Sequence, residues 1–464
     1  MPVIPEGIAY AYTHETTQAT TGYFSCQPPA SLTLPQALAR LEATPFDDFL
    51  RQHCLRQLSR RSPEEIKNLA DELYDRETDS FRRMGLAGLL LECSLLVPEL
   101  AHCCDSFPED ALQRLTLSSS LIYLRAASRK DFGLMQAWSA HFADNIARHH
   151  MLPHWEELEL ELPYSEEELE VCREGLRARA GMLEREHARM QAEDLPRLER
   201  RPAQETYEQA VNALLENDVL AGQEMRHQAS LSPIALLRSW KVDLDVDCGR
   251  MRHSLRGEAT AYGRGLSLAA ARASYAMEIV ERASSYVSVA RTGEHTFEVT
   301  NRRRPMPLIH ASCAKLRSQG KDFLPLSSLP LETPFEDYVP LYWLEARDPE
   351  GKTVLVPAQA VFLFCNLDEQ SLFLAGGSTG LASGNTEAEA RLAALTEIVE
   401  RDAEATTPFS REGCFVLKSR DERLQALLDD YAARGIQIQF QDITTELGVP
   451  VYRCFVMSRR GEVA

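Results

Sequence analysis

Two short strings hold the residues best placed by type and spacing to do chemistry. "AMEIVERASS", residues 276–285, sets Glu278, Glu281 and Arg282 within five residues, and "LTEIVERDAE", 395–404, sets Glu397, Glu400 and Arg401 the same way. Carboxylates three residues apart on a helix repel, so a purely structural helix gains nothing from them. Two such helices brought together would gather four carboxylates, a hard-oxygen set suited to Mg²⁺, which is held by one or two carboxylates plus substrate phosphates. Arg282 and Arg401 would then offer planar forks to phosphate oxygens. The pattern points to a Mg–nucleotide site. The competing reading is a solvated charged face laced with Glu–Arg pairs. A di-iron carboxylate centre would want Glu-x-x-His pairs, and neither string contains histidine.

The two strings belong to a longer repeat. At an offset of 119 residues, nine of the nineteen positions from 265 to 283 are identical, including Gly265 on Gly384 and Arg272 on Arg391. Only two copies occur, so this is a duplicated strand–loop–helix unit rather than a solenoid. Each copy opens with a Gly-rich turn, "AYGRGLS" or "GGSTGLASGNT", that leads into a Ser or Thr able to cap the helix. Glycine permits close backbone approach, and a helix start offers unpaired N–H donors, as a phosphate cradle needs. On an ideal helix at about 100° per residue, Glu389, Glu397, Glu400 and Arg401 fall within roughly 120°, with Leu392, Leu395, Ile398 and Val399 opposite. In the first copy Glu278, Glu281 and Arg282 oppose Ala273, Ala276, Ile279 and Val280. Each helix is expected to pack one face and present two carboxylates on the other. Thr386 and Glu389 also match a capping box.

The elements that must position these helices follow from periodicity. Residues 1–33 read as irregular. From Leu34 to about His227 the pattern is helical. "SPEEIKNLADELYDRE" starts with a capping box at Ser62 and Glu65 and with Pro63 at the first helical position. "FRRMGLAGLLLECSLLV" reads as a buried helix. "SEEELEVCREGLRARAGMLEREHARM" reads as a long polar one with a box at Ser165 and Glu168. After about Ser230, strand-like runs appear: "WKVDLDV", "HTFEVT", "TVLVPAQAVFLF", "IQIQFQDI" and "VPVYRCFVM". The expected fold class is α+β. An all-α N-terminal extension, 1–225, precedes an α+β domain, 226–464, that carries the internal repeat.

Composition narrows the function. The chain has 464 residues, a net charge of −19 and a pI near 5.2. That balance speaks against a general nucleic-acid binder, which wants a basic face, and suits a cytoplasmic protein that binds cations. No apolar run is long enough for a membrane span, and the N-terminus lacks the pattern of a signal peptide. The 11 cysteines are scattered without a CxxC pair, as in a reducing cytosol. Other candidates are weaker. "DLDVDCG" places Cys248 where a calcium loop needs glycine, so Asp243, Asp245 and Asp247 read as an edge-exposed strand face. His149, His150 and His154 are split by Pro153. Cys248 and Cys313 lack a nearby base that would mark a nucleophile.

With these residues in hand, a family resemblance is specific. "STGLASGNTEAEARLAALTEIVERDAE" resembles the signature of the YcaO family, and "AYGRGLSLAAARASYAMEIVERASSY" its earlier helix. "GIQIQFQDITTELGVPVYRCFVM" is similar to the strand–turn–strand that follows there. The resemblance covers about 230–464. It implies ATP and Mg²⁺ binding, with phosphorylation of a peptide-backbone amide oxygen. The products would be azolines, thioamides or amidines, often in ribosomally made peptides. One branch of the family is an accessory to ribosomal-protein methylthiolation. By position, Glu278, Glu281, Glu397 and Glu400 resemble the Mg²⁺ ligands and Arg401 a phosphate contact. Asn385 and Glu389 resemble further nucleotide-site residues. Arg264, in "GRG" where Gly-Lys-Gly is usual, keeps the positive charge. The family's early Lys and Ser have no clear match in "RHQASLSPIALLRSW". The sequence ends at "SRRGEVA", before the helix with an Arg and a Glu that completes the family's ATP site. A truncated or split protein is therefore expected, weak or inactive as a catalyst alone. Expected partners are a peptide or protein substrate, a protein delivering substrate or sulfur, and a second copy as a homodimer.

Overall fold

The computed structural model describes residues 7–16, 22–75, 80–81, 83–119, 121–127, 129–193, 199–228, 230–301, 304–333, 335–348, 350–373 and 377–457. The terminal "SRRGEVA" and Gly376 of the second Gly-rich turn lie outside the described residues. In chain order the first elements are β1 (Ile8–Thr16), β2 (Gly22–Gln27), α1 (Leu34–Ala43), α2 (Asp48–Leu58), α3 (Pro63–Leu73), β3 (Tyr74–Asp75), β4 (Ser80–Phe81), α4 (Met84–Leu96), α5 (Glu109–Ser118) and α6 (Ile122–Ala127). Next come α7 (Phe132–Arg148), α8 (Glu166–Ala192), α9 (Ala203–Glu216), β5 (Leu220–Arg226), β6 (Ile234–Cys248), β7 (Met251–Gly265), α10 (Leu268–Ser285), β8 (Ser288–Arg291), β9 (Phe297–Thr300) and β10 (Pro305–Ser312). The last are α11 (Cys313–Ser318), β11 (Pro340–Arg347), β12 (Thr353–Pro357), α12 (Glu387–Thr406), β13 (Cys414–Phe415), α13 (Glu422–Ala433), β14 (Gln437–Asp442) and β15 (Tyr452–Met457).

Two compact units form, each from two segments: 1–129 with 201–385, and 130–200 with 386–464. These spatial units cut across the sequence division expected at 225 and 226. In the first unit the strands join in the order β12-β11-β10-β9-β8-β6-β7-β1-β2, with β5 also paired to β6. The frame is the long β6–β7 hairpin, in register from Ile234 opposite Gly265 to Cys248 opposite Met251. One apolar core joins this sheet to the helices before it. It contains Leu50 and Cys54 of α2, Leu89 and Leu90 of α4, Trp240 and Leu255 of the hairpin, and Tyr275 and Ile279 of α10.

The structure corrects the reading of the N-terminal region as all-helical with an irregular start. β1 runs parallel to β7, Ile8 opposite His253, and antiparallel to β2. Ile8, Tyr10 and Tyr12 point into the core. A parallel partner 245 residues away supplies the backbone hydrogen bonds of β1, and a local pattern cannot display that partner. Strands β3, β4 and β5 also interrupt the span read as helical, while the helix starts agree with the structure. Ser62 and Glu65 form the box that starts α3, with Pro63 in the first turn, and Ser165 and Glu168 form the one that starts α8. α4 is largely buried, and α8 buries none of its residues.

The second unit holds α7, α8, α12, α13 and the sheet β13-β14-β15. Asn145, fully buried on α7, accepts from the Phe409 N–H at 2.7 Å and donates to the Phe409 carbonyl at 3.2 Å. Arg453 of β15 donates to the carbonyls of Glu404 and Thr407. That satisfies carbonyls at the end of α12, where a cation also complements the helix dipole.

Candidate functional site

The first repeat copy is built by close packing of β7 on α10. A Cβ at Gly263 would collide with the Ala271 carbonyl oxygen, and one at Gly265 would lie 2.7 Å from the Ala271 nitrogen. These glycines let the strand lie directly against the helix. Ser267 caps α10, its side chain accepting from the Ala270 N–H at 3.2 Å. Arg272 and Tyr275 hold α10 to β5 through Glu224, at 2.9 Å and 2.8 Å.

This anchoring fixes Glu278, Glu281 and Arg282. Glu278 accepts from the Tyr262 N–H of β7 at 3.2 Å. Burial pushes its pKa above the usual carboxylate range, against the pull of Arg282, that hydrogen bond and Arg264. Arg282 lies 3.5 Å from Glu281 and 3.9 Å from Glu278. Glu281 is the more enclosed of the two carboxylates, with its side chain 18% exposed. Thus Arg264, Arg282, Glu278 and Glu281 share one electrostatic neighbourhood.

Another face of α10 lines a cavity of about 240 Å³ within the first unit, and none of these four charged residues is in its lining. Apolar side chains of α9 and α10, among them Leu214, Met277 and Val280, form its walls. Its polar lining is uncharged: Thr206, Gln209, Asn217, Ser284, Asn301 and Asn385. Asn301 donates to the Ser284 carbonyl, and its own buried amide oxygen has no partner. Asn385 reaches the cavity because Ser383 donates to the Met277 carbonyl at 2.8 Å, which ties the Gly-rich turn to α10. Sequence reasoning named Asn385 but missed Thr206, Gln209, Asn217 and Asn301. The first three sit on or just after α9, before residue 225, where the amphipathic pattern read only as helix.

In the second unit, α12 places Glu389, Glu397, Glu400 and Arg401. Thr386 caps it, accepting from the Glu389 N–H at 3.2 Å. Arg401 lies 4.0 Å from Glu397 and 3.4 Å from Glu404. The expected packing face is corrected here. Leu392, Leu395 and Ile398 are exposed, and Leu395 is 61% exposed. Val399, with Ala403, packs on Ile443 and Val451. The repeat conserves sequence better than environment: α10 lies on a long hairpin and α12 beside three short strands.

The two carboxylate pairs belong to different units, Glu278 and Glu281 to the first, Glu397 and Glu400 to the second. Within either unit, among the described residues, no group of three or more His, Cys, Asp or Glu side chains is positioned to hold a metal ion. Each pair is nevertheless an all-oxygen donor set that suits Mg²⁺. The incompletely compensated Glu278 carboxyl would gain from a cation.

The remaining candidates resolve as structural. Asp243 and Asp245 pair with Arg256, and Asp247 with Arg252 and Arg291. The strand that carries them is interior to the sheet, not at its edge. His149 packs on Phe409 and Phe455, His150 meets Asp144 and His154 meets Glu156. Cys248 and Cys313 are buried, and burial pushes the Cys248 thiol up to about 12, so neither is an available nucleophile.

Residues 262–464 match the family model described as YcaO cyclodehydratase, ATP- and Mg²⁺-binding. The chain carries a YcaO domain. The matched segment begins at Tyr262, beside Glu278, and spans both repeat copies. Relatives include a protein of the tfuA 3′ region of Rhizobium leguminosarum bv. trifolii, 28% identical over 204 residues. Another is from Methanothermobacter thermautotrophicus, 30% identical over 197 residues. The matches cover 42% and 40% of this chain and 44% and 45% of those relatives, so the chain spans less than half their length. Among solved structures, YcaO from Methanopyrus kandleri bound with AMPPCP and Mg²⁺ is 20% identical, with a TM-score of 0.33 over 52% of this chain and 53% of that one. A heterocyclase in complex with substrate and cofactor is 18% identical, with a TM-score of 0.37 over 57% of this chain and 37% of that one.

Proposed function

We propose that this YcaO domain binds MgATP at the α10 site and uses it to activate a backbone amide of a peptide or protein substrate. The observation that carries the reading is that α10 bears both the Glu278–Glu281–Arg282 cluster and, on another face, one wall of an uncharged cavity. A neutral, carboxamide-lined pocket with aliphatic walls suits a purine base. A charged neighbour that mixes carboxylates with Arg282 and Arg264 suits a triphosphate and its cation.

Glu278 and Glu281 would hold Mg²⁺ at the α10 site, and Glu397 and Glu400 of α12 are candidate Mg²⁺ ligands in their own right. Bound Mg²⁺ supplies charge neutralisation on the phosphates. Arg264 and Arg282 would orient phosphate oxygens there and Asn385 would contact the base, while Arg401 of α12 is a candidate phosphate contact. Glu389 would add a nucleotide contact. Phosphoryl transfer depends on such positioning more than on covalent protein groups. The substrate amide oxygen bonds to the terminal phosphorus as its bond to ADP breaks. A nucleophile then adds to the carbonyl carbon and phosphate departs, giving an azoline from Cys, Ser or Thr, or a thioamide with a sulfur donor.

A second reading has one observation in its favour: within either unit, no three ligating side chains are preassembled among the described residues. The domain would then be a nucleotide- or peptide-binding subunit, including the methylthiolation-accessory type, that acts with another chain. Measuring MgATP binding and ADP release on the same preparation separates the two. Binding with peptide-stimulated ADP release supports the enzyme. Binding without release at any peptide supports the subunit, and no MgATP binding overturns both.

A further inference from the structure

Helix α8 of the second unit runs for 27 residues and buries none of them. At 1.5 Å per residue that is about 40 Å of helix. Leu169, Leu176, Leu183 and Met190 recur along it at every seventh position, the spacing of a coiled-coil seam. Leu176 and Met190 are 40% and 49% exposed, and Leu169 and Leu183 are half-buried. His187, which lies beside Gly448 of its own unit, sits off this line. At the other end Leu169 lines an apolar cavity of about 380 Å³, together with Trp138 and Phe142 of α7 and Tyr164.

The charge on α8 says what such a seam would pair with. Residues 166–176 carry five Glu and one Arg, and residues 177–192 carry four Arg and two Glu. A parallel copy would set acid against acid. An antiparallel copy sets the acidic half of each helix against the basic half of the other, twice over. The seam is itself symmetric about the point between Arg179 and Ala180. In an antiparallel pair centred there, Leu176 meets Leu183 of the second copy, and the small Ala180 lies at the axis. Arg173 and Arg177 come within a turn of Glu184 of the second copy, while Arg179, off the seam, approaches its own copy. Leu169 meets Met190 of the second copy, so an exposed thioether on one chain arrives where the other has an open apolar cavity.

We propose that two copies of this chain pair antiparallel along Leu169, Leu176, Leu183 and Met190 of α8, each setting its Met190 into the Trp138–Phe142 cavity of the other. The test is sedimentation equilibrium of the full chain, with a dimer expected at micromolar concentration. Leu176→Glu with Leu183→Glu, which gathers carboxylates on both sides of the axis, should weaken the dimer at least a hundredfold while thermal unfolding stays cooperative. If that variant does not fold, Met190→Glu, at an exposed position, should weaken it at least tenfold. Phe142→Ala removes a wall of the receiving cavity and reads the orientation, since a parallel pair keeps Met190 away from it. Phe142→Ala should weaken the dimer about tenfold, and adding it to Met190→Glu should weaken the dimer less than the product of the two single effects. A wild type that stays monomeric at these concentrations, as it would if another protein covered α8, overturns the proposal. So does a dimer indifferent to the α8 substitutions, or one in which Phe142→Ala has no effect.

Discussion

At the scale of single residues, burial has raised the proton affinity of several carboxyls, and each makes a distinct prediction. Glu278 is held above its ordinary range by burial while three positive or donating groups pull it down. A cation there would tip it to the carboxylate. Glu278→Gln keeps the size and an acceptor for the Tyr262 N–H but removes the charge. Mg²⁺-dependent ATP binding should weaken at least tenfold in this variant, with its Tm unchanged or raised, because a costly buried charge is gone. Glu369 is the clearer titration. Buried with hydrogen bonds from the Tyr342 N–H and the Gln359 amide, it is pushed up to about 8. A carboxyl raised in the folded state contributes fully below its ordinary value and loses that contribution as pH rises through its folded value. At about 1.4 kcal/mol per unit, the loss between pH 4.5 and 8 is on the order of 4 kcal/mol. Glu92, pushed up to about 7, acts in the same direction. Unfolding stability should therefore fall as pH rises across that window, and Glu369→Gln should flatten the slope whatever its absolute stability. A flat wild-type profile would contradict this.

Among the elements, the two repeat helices carry the same chemical string in different surroundings. α10 is locked by the glycines of β7, so Gly263→Ala forces the strand off the helix and should cost about 1–3 kcal/mol in urea unfolding. Ile279, fully buried on α10, should lose about 2–4 kcal/mol on change to Ala. Its counterpart Ile398 is exposed, and Ile398→Ala should stay within about 0.5 kcal/mol. Equal costs at the two positions would mean that α12 is packed as α10 is. The difference marks what was legible in the sequence. The helix starts, the caps at Ser62, Ser165, Ser267 and Thr386 and the strand runs after Ser230 are local signals, and they were readable. The burial of Leu392, Leu395 and Ile398 was inferred from apolar character, which states what a helix can pack, not whether a partner is there. β1 had a readable alternation at Ile8, Tyr10 and Tyr12, but its β7 partner is distant. Likewise Glu278, Glu281 and Asn385 could be named from the repeat. Thr206, Gln209 and Asn217 could not, because their role exists only once α9 lies against α10.

For the whole molecule, the acidic chain joins a helical region and a YcaO domain through one core, since α2 and α4 pack with α10 in the first unit. Among the described residues, no helix is long and apolar enough to cross a membrane. MgATP should stabilise this folded chain by mass action, about 2.7 kcal/mol at a hundredfold excess over Kd, and removal of Mg²⁺ by chelation should reverse the gain. The most direct test of the central claim is calorimetric titration of MgATP into the wild-type chain and into Glu281→Ala and Asn385→Ala. Saturable, Mg²⁺-dependent binding that each substitution weakens at least tenfold is the predicted result. Absence of binding to the wild type, or binding indifferent to both substitutions, would contradict the placement of the nucleotide beside α10.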